Sequence, residues 1–153
     1  MIKKLDHKII GISEKIRSIF QESYAVEAKL LRAKDFPPLN RSIDTFLNSE
    51  TEFYGYFVKE EMVAVVELKS SKDSIHIQSL VVAPNYFRQG IAQSIISYLF
   101  GSFDSVNYTV ETGAKNEPAI SLYKKNGFVV TGQYNAEFDI RKVRFERKMT
   151  TTP

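Results

Sequence analysis

The chain has 153 residues, of which 43% are hydrophobic and 12% aromatic, and this length and composition are typical of one packed domain. It carries 21 basic and 18 acidic residues and no cysteine, which excludes disulfides, thiolate metal sites and a cysteine-linked acyl-enzyme. The two histidines lie too far apart in the sequence for a convincing metal site. We therefore predict a single domain over residues 1–153 that binds no metal.

The sequence also bears on where the protein acts. No apolar run approaches the roughly 20 residues that span a bilayer, and the opening MIKKLDHKII meets charges before a signal-type apolar core can form. The net charge of +3 is scattered except in Arg141–Lys148, which alternates like a half-exposed strand. We expect a cytoplasmic protein that binds neither membrane nor nucleic acid, as a monomer or a homodimer.

The first fifty residues favour helices. Apolar residues recur at helical spacing at Ile12, Ile16, Ile19 and Phe20. The segment 24–31 predicts a second helical stretch after a turn, and Phe36–Pro38 breaks it. Ser42 can then cap a short helix that runs to Leu47.

Six later segments favour strands through their β-branched, aromatic or alternating residues. They are Phe53–Val58, Met62–Leu68, Ser74–Ala83, Val106–Glu111, Phe128–Phe138 and Ile140–Met149. Short polar turns at 59–61 and 70–73 make the first three strands antiparallel, whereas a helix between the third and fourth makes those two parallel. The last two strands form a closing antiparallel pair, and we expect the tail 150–153 to be frayed.

The stretch Ser79–Leu99 runs from a buried strand into a helix through a basic turn. Ile91, Ile95, Ile96 and Leu99 recur at helical spacing. We predict that Arg88–Ala92 forms the first helical turn, where Gly90 and Ala92 leave the backbone N–H groups open to a ligand. Such a turn suits a phosphate or pyrophosphate. It fits neither a P-loop nor a dinucleotide fingerprint, so an ordinary strand-to-helix connection is the alternative.

The helix that starts at Glu117 has clear ends. Asn116 can act as its N-cap, and Gly127 can adopt the left-handed conformation after its last turn. Phe128 then folds back onto the helix, near Tyr123. By spacing alone, Tyr123 reads as a core aromatic residue with its hydroxyl at the rim.

Together these two segments resemble the acyl-CoA-binding core of the GNAT superfamily of N-acetyltransferases, over roughly Met62–Met149. The first family motif is matched by Val82, Pro84, Gly90 and Ala92. The second is matched by Asn116, Ala119, Leu122, Tyr123, Gly127 and Phe128. One departure is that Phe87 stands where the family usually has glutamine or arginine, with Arg88 and Gln89 displaced by one and two positions.

The resemblance implies an α/β (α+β) fold with a mixed, mostly antiparallel sheet of six to seven strands, a splayed strand pair and flanking helices. It also implies acetyl-CoA as co-substrate and transfer of its acetyl group to a primary amine within a ternary complex. The alternative is a non-catalytic acyl-CoA-binding or interaction module of the same fold. The identity of the amine stays open, because the resemblance is weakest in the N-terminal region.

The family resemblance implies which residues of this sequence form the site. The cofactor-binding candidates are Leu80, Val81, Val82, Arg88, Gln89, Gly90, Ile91, Ala92, Asn116 and Tyr123. Backbone N–H groups near Val81 and Val82 are the expected donors to the thioester carbonyl. Tyr123 resembles the family's acid, and its reference pKa of about 10 lies above the value of about 8.5 for a thiol.

The catalytic group that would deprotonate or hold the acceptor amine is left open among four residues of the predicted strands. They are Glu67, His76, Gln78 and Glu111. His76 falls where some family members carry a basic glutamate, and Glu111 lies in a Val-Glu-Thr-Gly segment that resembles small-substrate members. Their alternative roles are structural: a strand histidine, and glutamates in salt bridges or on an exposed strand face.

Overall fold

The computed structural model describes residues 1–103 and 107–149, and within them the chain forms seven strands and four α-helices. The strands are β1 Ile2–Leu5, β2 Glu52–Val58, β3 Glu61–Ser70, β4 Ser74–Val82, β5 Asn107–Gly113, β6 Val129–Asn135 and β7 Arg141–Arg147. The helices are α1 Ile10–Leu31, α2 Ile43–Leu47, α3 Ile91–Ser102 and α4 Glu117–Lys125. Short 3-10 turns cover Pro37–Asn40, Pro84–Tyr86 and Glu137–Asp139.

The strands form one sheet in the order β1-β2-β3-β4-β5-β7-β6. Its central pair, β4 and β5, is parallel, and the other neighbours are antiparallel. The pairing of β4 with β5 runs from Ser74 opposite Asn107 to Ile77 opposite Val110 and then stops. Beyond that point β4 stays paired with β3, and β5 with β7, so the two central strands splay apart. The predicted fold class is confirmed.

Each face of the sheet packs against its own helices. On one face, α3 and α4 cover apolar side chains of the central strands, including Ile75, Ile77 and Val110. On the other face, α1 and α2 enclose a smaller cluster that includes Val81. A β-bulge separates these two parts of β4, because Glu67 pairs with Ser79 while Leu68 pairs with Ile77, leaving Gln78 as an extra residue.

The ends of α4 agree with the sequence prediction. The Asn116 side-chain oxygen accepts a hydrogen bond from the Ala119 N–H at 3.3 Å, so it is a true N-cap. Gly127 has a φ of +86°, in the left-handed region. Phe128 donates its N–H to the Tyr123 carbonyl at 3.0 Å, and their rings make an edge contact with centroids 5.4 Å apart. These contacts fix Tyr123 on the buried side of α4.

The structure differs from the prediction in several elements. β1 was not predicted, because two of its four residues are exposed lysines at the edge of the sheet and give no alternating apolar pattern. α1 is one continuous helix of 22 residues, not two stretches, since its apolar stripe continues through Tyr24. Ser42 precedes α2 but makes no side-chain capping bond. Val106 and the tail 150–153 lie outside the described residues.

The predicted start of α3 is also wrong. Arg88 and Gly90 have φ values of 61° and 76°, in the left-handed region, so Arg88–Gly90 is a turn before the helix and α3 begins at Ile91. Within the described residues, no helix is both long and apolar enough to cross a membrane.

Candidate active site

A groove of about 560 Å³ lies between the turn before α3 and the neighbouring helices. We call it the turn groove. Its walls are the end of β4, the segment 86–93 without Gln89, and parts of α1 and α4. A Cβ added to Gly90 would meet no atom within 4 Å, so the backbone here is open. The first backbone bond of α3 runs from the Ser94 N–H to the Gly90 carbonyl at 3.0 Å, which leaves the N–H groups of residues 91–93 for a ligand.

The two polar side chains of this turn, Arg88 and Gln89, differ in whether they line the turn groove. Arg88 is exposed and lines the turn groove, and so does the exposed ring of Phe87. Gln89 is not part of the wall, because its side-chain amide bonds back to the Asn85 carbonyl at 3.4 Å. The backbone N–H groups and the Arg88 guanidinium therefore form an anion-binding surface at the start of α3.

The splay extends the turn groove into the sheet. Leu80, Val81 and Val82 line the groove and pair with β3 through Val66, Val65 and Ala64. On the other side, β5 has no ladder partner for them within the described residues. Backbone polar groups of this strand segment can therefore bind an extended ligand in place of a neighbouring strand.

A second cavity, of about 400 Å³, is lined by parts of both splayed strands, β4 and β5, and we call it the side cavity. Aromatic, proline and aliphatic side chains form much of its wall, and the charged residues that line it are Glu27, Arg41, Glu111 and Lys142. Six residues line both the side cavity and the turn groove. They are Tyr24, Glu27, Leu80, Asn116, Ala119 and Tyr123. A ligand in one space can therefore contact a ligand in the other at these residues.

Two tyrosines, the half-buried Tyr24 from α1 and the buried Tyr123 from α4, lie at this junction. Burial raises the pKa of the Tyr123 hydroxyl far above its usual value, and the nearby Tyr24 and Glu27 raise it further. Burial likewise raises the pKa of Tyr24, and the nearby Glu27 raises it further. Both phenols are therefore protonated at neutral pH and can donate hydrogen bonds.

Glu27 is the acidic residue at the junction. Its Oε1 accepts hydrogen bonds from Asn116 Nδ2 at 2.5 Å and from Thr112 Oγ1 at 3.4 Å. Burial raises the pKa of the Glu27 carboxyl, and the Asn116 bond, Lys142 and Thr112 lower it in part. Because burial is the largest of these effects, the Glu27 carboxyl gains or loses its proton nearer to neutral pH than an exposed carboxyl does.

Among the predicted amine-binding residues, Glu67 lies apart from both cavities. It is buried, and its two oxygens accept hydrogen bonds from Arg41 at 2.7 and 3.0 Å, while Thr51 Oγ1 donates to Oε2 at 2.7 Å. Arg41 itself lines the side cavity. Glu67 therefore faces the cavity only through Arg41.

The other candidates lie on β4 and β5. Glu111 lines the side cavity, and its Oε2 accepts a hydrogen bond from the exposed Tyr134 hydroxyl at 2.8 Å. Gln78, the bulge residue, also lines that cavity. His76 Nδ1 lies 2.8 Å from Thr109 Oγ1, and burial lowers the pKa of its imidazole. His76 is not among the residues that line either cavity.

The sequence analysis did not identify Tyr24, Glu27, Arg41 or Lys142 as site residues. A signal for Glu27 was present, because Phe20, Tyr24, Glu27 and Leu31 fall on one helical stripe of α1. A carboxylate within an otherwise apolar stripe is uncommon in a packed helix and points to function. Within residues 1–103 and 107–149, no group of three or more His, Asp or Glu side chains could hold a metal ion.

The splayed sheet, the open turn before a helix and the tyrosine at their junction are the features that the family resemblance implied for this fold. The model of the acetyltransferase (GNAT) family matches residues 13–128, and the chain belongs to this family. The family resemblance stated from the sequence is thereby confirmed. The match also covers most of α1, where the sequence motifs were thin.

Two named proteins are similar to this chain in sequence. UPF0157 protein YqkA of Bacillus subtilis is 28% identical over 129 residues, which cover 84% of this chain and 38% of that protein. Streptothricin acetyltransferase of Escherichia coli is 27% identical over 123 residues, covering 76% of this chain and 71% of that protein. The chain thus spans well under half of the first relative and most of the second.

Solved structures share the fold. The ribosomal-protein-S18-alanine N-acetyltransferase of Escherichia coli superimposes with a TM-score of 0.78 and 18% identity, over 100% of this chain and 96% of that one. The PaiA N-acetyltransferase of Thermoplasma acidophilum, solved with coenzyme A, gives a TM-score of 0.75 and 18% identity, over 97% and 98%. Family membership and the open turn at Gly90 agree with acetyl-CoA as the co-substrate.

Proposed function

We propose that this protein is an N-acetyltransferase that moves the acetyl group of acetyl-CoA directly to a primary amine. The observation that carries this proposal is the meeting of the turn groove and the side cavity at Tyr123. Two substrates can reach one another there without an intermediate carrier on the protein. The chain also has no cysteine that could hold an acetyl group.

In this proposal the turn groove binds acetyl-CoA. The N–H groups of residues 91–93 and the Arg88 side chain hold the pyrophosphate, and the free edge of β4 at Leu80–Val82 binds the pantetheine arm. Backbone N–H groups near Val81 polarise the thioester carbonyl, which stabilises the negative charge that develops on its oxygen. Within the described residues, these groups have no ladder partner on the β5 side.

Tyr123 then assists the departing thiolate. Its buried hydroxyl carries a proton at neutral pH because its pKa is raised, so it can donate a hydrogen bond to the departing sulfur. Its ring is held by edge contact with Phe128 and a tilted contact with Phe145 at 5.9 Å. The ring therefore keeps one orientation towards the junction.

The acceptor lies in the side cavity. Its volume of about 400 Å³ suits a small molecule or the end of a chain, and Glu27 and Glu111 suit an ammonium group. The names of two proteins given above state that they act on streptothricin and on an alanine of ribosomal protein S18. We propose that the acceptor of this protein is a small primary amine or a flexible chain end. We also propose that residues 1–153 form a single domain that acts in the cytoplasm.

The test has two parts. Calorimetry and thermal unfolding measure acetyl-CoA binding, and a ligand at 100 times its dissociation constant should stabilise the fold by about 2.7 kcal/mol. Release of the CoA thiol is then followed with streptothricin, spermidine, kanamycin and a peptide with N-terminal alanine. Binding without thiol release for any amine would favour the non-catalytic acyl-CoA-binding module. Absence of binding would contradict both functions.

A further inference from the structure

We propose that Glu27 is a catalytic residue that takes a proton from the ammonium group of the acceptor, an inference that rests on the function proposed above. Glu27 lies on α1 and lines both the turn groove and the side cavity. An amine that reaches the thioester from the side cavity must pass this junction. A carboxylate here can contact the reacting nitrogen, which a residue of the outer cavity wall cannot do.

The two oxygens of Glu27 differ. Oε1 accepts hydrogen bonds from Asn116 and Thr112, whereas Oε2 has no hydrogen-bond partner within residues 1–103 and 107–149. In that same part of the chain, every buried side-chain oxygen or nitrogen has a partner. Oε2 is therefore not sealed in the protein but open to the cavities. One oxygen is held in place, and the other is available to a ligand.

Asn116 fixes this orientation. Its carbonyl oxygen caps α4 by accepting the Ala119 N–H, so its amide NH₂ group points away from the helix and donates to Glu27 Oε1. The same NH₂ group lies 3.3 Å from Thr112 Oγ1. The cap of α4 thereby holds the carboxylate of α1, and Asn116 is a positioning residue for Glu27.

The other carboxylates near the site are less suited to this role. Both oxygens of Glu67 are bound by Arg41, and Glu67 lines neither cavity. Glu111 lines the side cavity but not the turn groove. It also already accepts a hydrogen bond from the Tyr134 hydroxyl. Glu27 combines a free oxygen with a place at the junction.

The acceptor ammonium gives one proton to Glu27 Oε2 and becomes a neutral amine. The lone pair of that amine forms a C–N bond to the thioester carbon, and the C–S bond breaks with its electron pair moving to sulfur. The second nitrogen-bound proton passes to the Tyr123 hydroxyl as that hydroxyl gives its own proton to the thiolate, so Tyr123 stays neutral, and Glu27 releases its proton to solvent. No oxidant or further reactant is needed.

Three titratable groups face Glu27 from the elements around it. Lys142 of β7 favours the ionised carboxylate, while Tyr24 of α1 and Tyr123 of α4 are phenols with raised pKa values that stay neutral. Below the range in which these phenols ionise, Glu27 and the acceptor amine are the groups that change charge. A pH profile can therefore report on them.

The experiment compares Glu27→Gln with the unmodified protein, using the amine from the panel above that gives the fastest thiol release. Near pH 7 we expect kcat/KM for the amine to fall by about 10²- to 10⁴-fold, the usual contribution of a positioned base. Affinity for acetyl-CoA should not change. As the pH is raised towards about 10, where an alkyl amine deprotonates unaided, the deficit should shrink, because the base is no longer needed.

Two further variants make the result decisive. Glu22→Gln removes a carboxylate from the exposed side of the same helix and should leave turnover unchanged, and Glu27→Asp should retain part of the activity. A deficit in Glu27→Gln that is equal at all pH values, or near-normal turnover, would overturn the role of Glu27 while leaving the proposed function standing. If the unmodified protein binds acetyl-CoA but acetylates no amine, the proposed function fails first and this inference with it.

Discussion

Arg41 and Glu67 form a bidentate ion pair behind the side cavity, with Nη1–Oε1 and Nη2–Oε2 distances of 2.7 and 3.0 Å. The guanidinium also lies over the Phe46 ring, 4.0 Å from its centroid. The pair joins the loop before α2 to β3 of the sheet. It therefore holds one wall of the side cavity against the rest of the fold.

We expect Glu67→Gln to lower the free energy of unfolding by about 3 kcal/mol, since removing one partner of a buried pair leaves the other charge uncompensated. The matched control is Glu61→Gln, which breaks the exposed pair with Lys15 and should cost no more than about 1 kcal/mol. Urea unfolding measures both. Equal, small effects would show that the Arg41 charge is adequately solvated without Glu67.

Glu27→Gln should change the pH dependence of stability. The folded pKa of Glu27 is raised, so the native state holds this proton more tightly than the unfolded chain, and this contribution is lost as pH rises from the unfolded value of about 4.5 through the folded pKa. The variant lacks that loss, so its stability relative to the unmodified protein should improve from acid to neutral pH. Thermal unfolding with Glu22→Gln as control tests this, and a parallel pair of curves would contradict it.

Gly90→Val should weaken acetyl-CoA binding by about 10- to 100-fold, equivalent to one charge-assisted hydrogen bond of about 1.5–3 kcal/mol. The added side chain would occupy the open space over the turn, and its φ of +76° would also cost stability. Gly132→Val, at a position on β6 that also has nothing within 4 Å, is the control for added bulk. Calorimetry on the folded variants decides, and unchanged affinity would place the pyrophosphate elsewhere.

Arg88→Ala should weaken acetyl-CoA binding by a few-fold at low salt, because an exposed ion pair contributes about 0.2–1 kcal/mol. The difference should vanish at high salt, where a side-chain charge is screened. Lys72→Ala, in the turn between β3 and β4, controls for the loss of one positive charge. A salt dependence identical to that of the unmodified protein would show that the guanidinium points away from the phosphates.

Tyr123→Phe should lower turnover by about 10²- to 10⁴-fold with acetyl-CoA affinity largely kept, because only the proton donor is lost. Tyr24→Phe removes the neighbouring hydroxyl and should have a smaller effect, while Tyr98→Phe, which lines neither cavity, should have none. Steady-state kinetics compare the three. The reverse order for Tyr24 and Tyr123 would assign the donor role to α1, and parallel double-reciprocal plots would point to a covalent intermediate.

The sequence predicted the parts of the fold that depend on local patterns. Six strands, the crossover through α3 and both ends of α4 follow from alternation, turn residues and capping residues such as Asn116. β1 was missed because its pairing with β2 comes from tertiary context and not from its own composition. The left-handed backbone at Arg88 was missed because arginine rarely adopts it.

The site residues also differ in whether local sequence patterns can predict them. The anion-binding turn and Tyr123 lie on short motifs that a sequence can show. Glu27 and Arg41 join the site through contacts with residues 89 and 26 positions away in the chain, and no local spacing predicts such contacts. The sequence does show Glu27 as an acidic residue within the apolar stripe of α1. It becomes part of a cavity only when that helix packs against the rest of the fold.

The bulge at Gln78 has a consequence for how β4 can change over evolution. Ile77 faces the α3 layer and Ser79 faces α1, so the extra residue between them can be lost without exchanging the side chains of the two cores. Loss of Ile77 would instead draw Gln78 towards an apolar layer. An alignment of related sequences should therefore place single-codon gaps in this strand at Gln78, and gaps concentrated at its neighbours would contradict this.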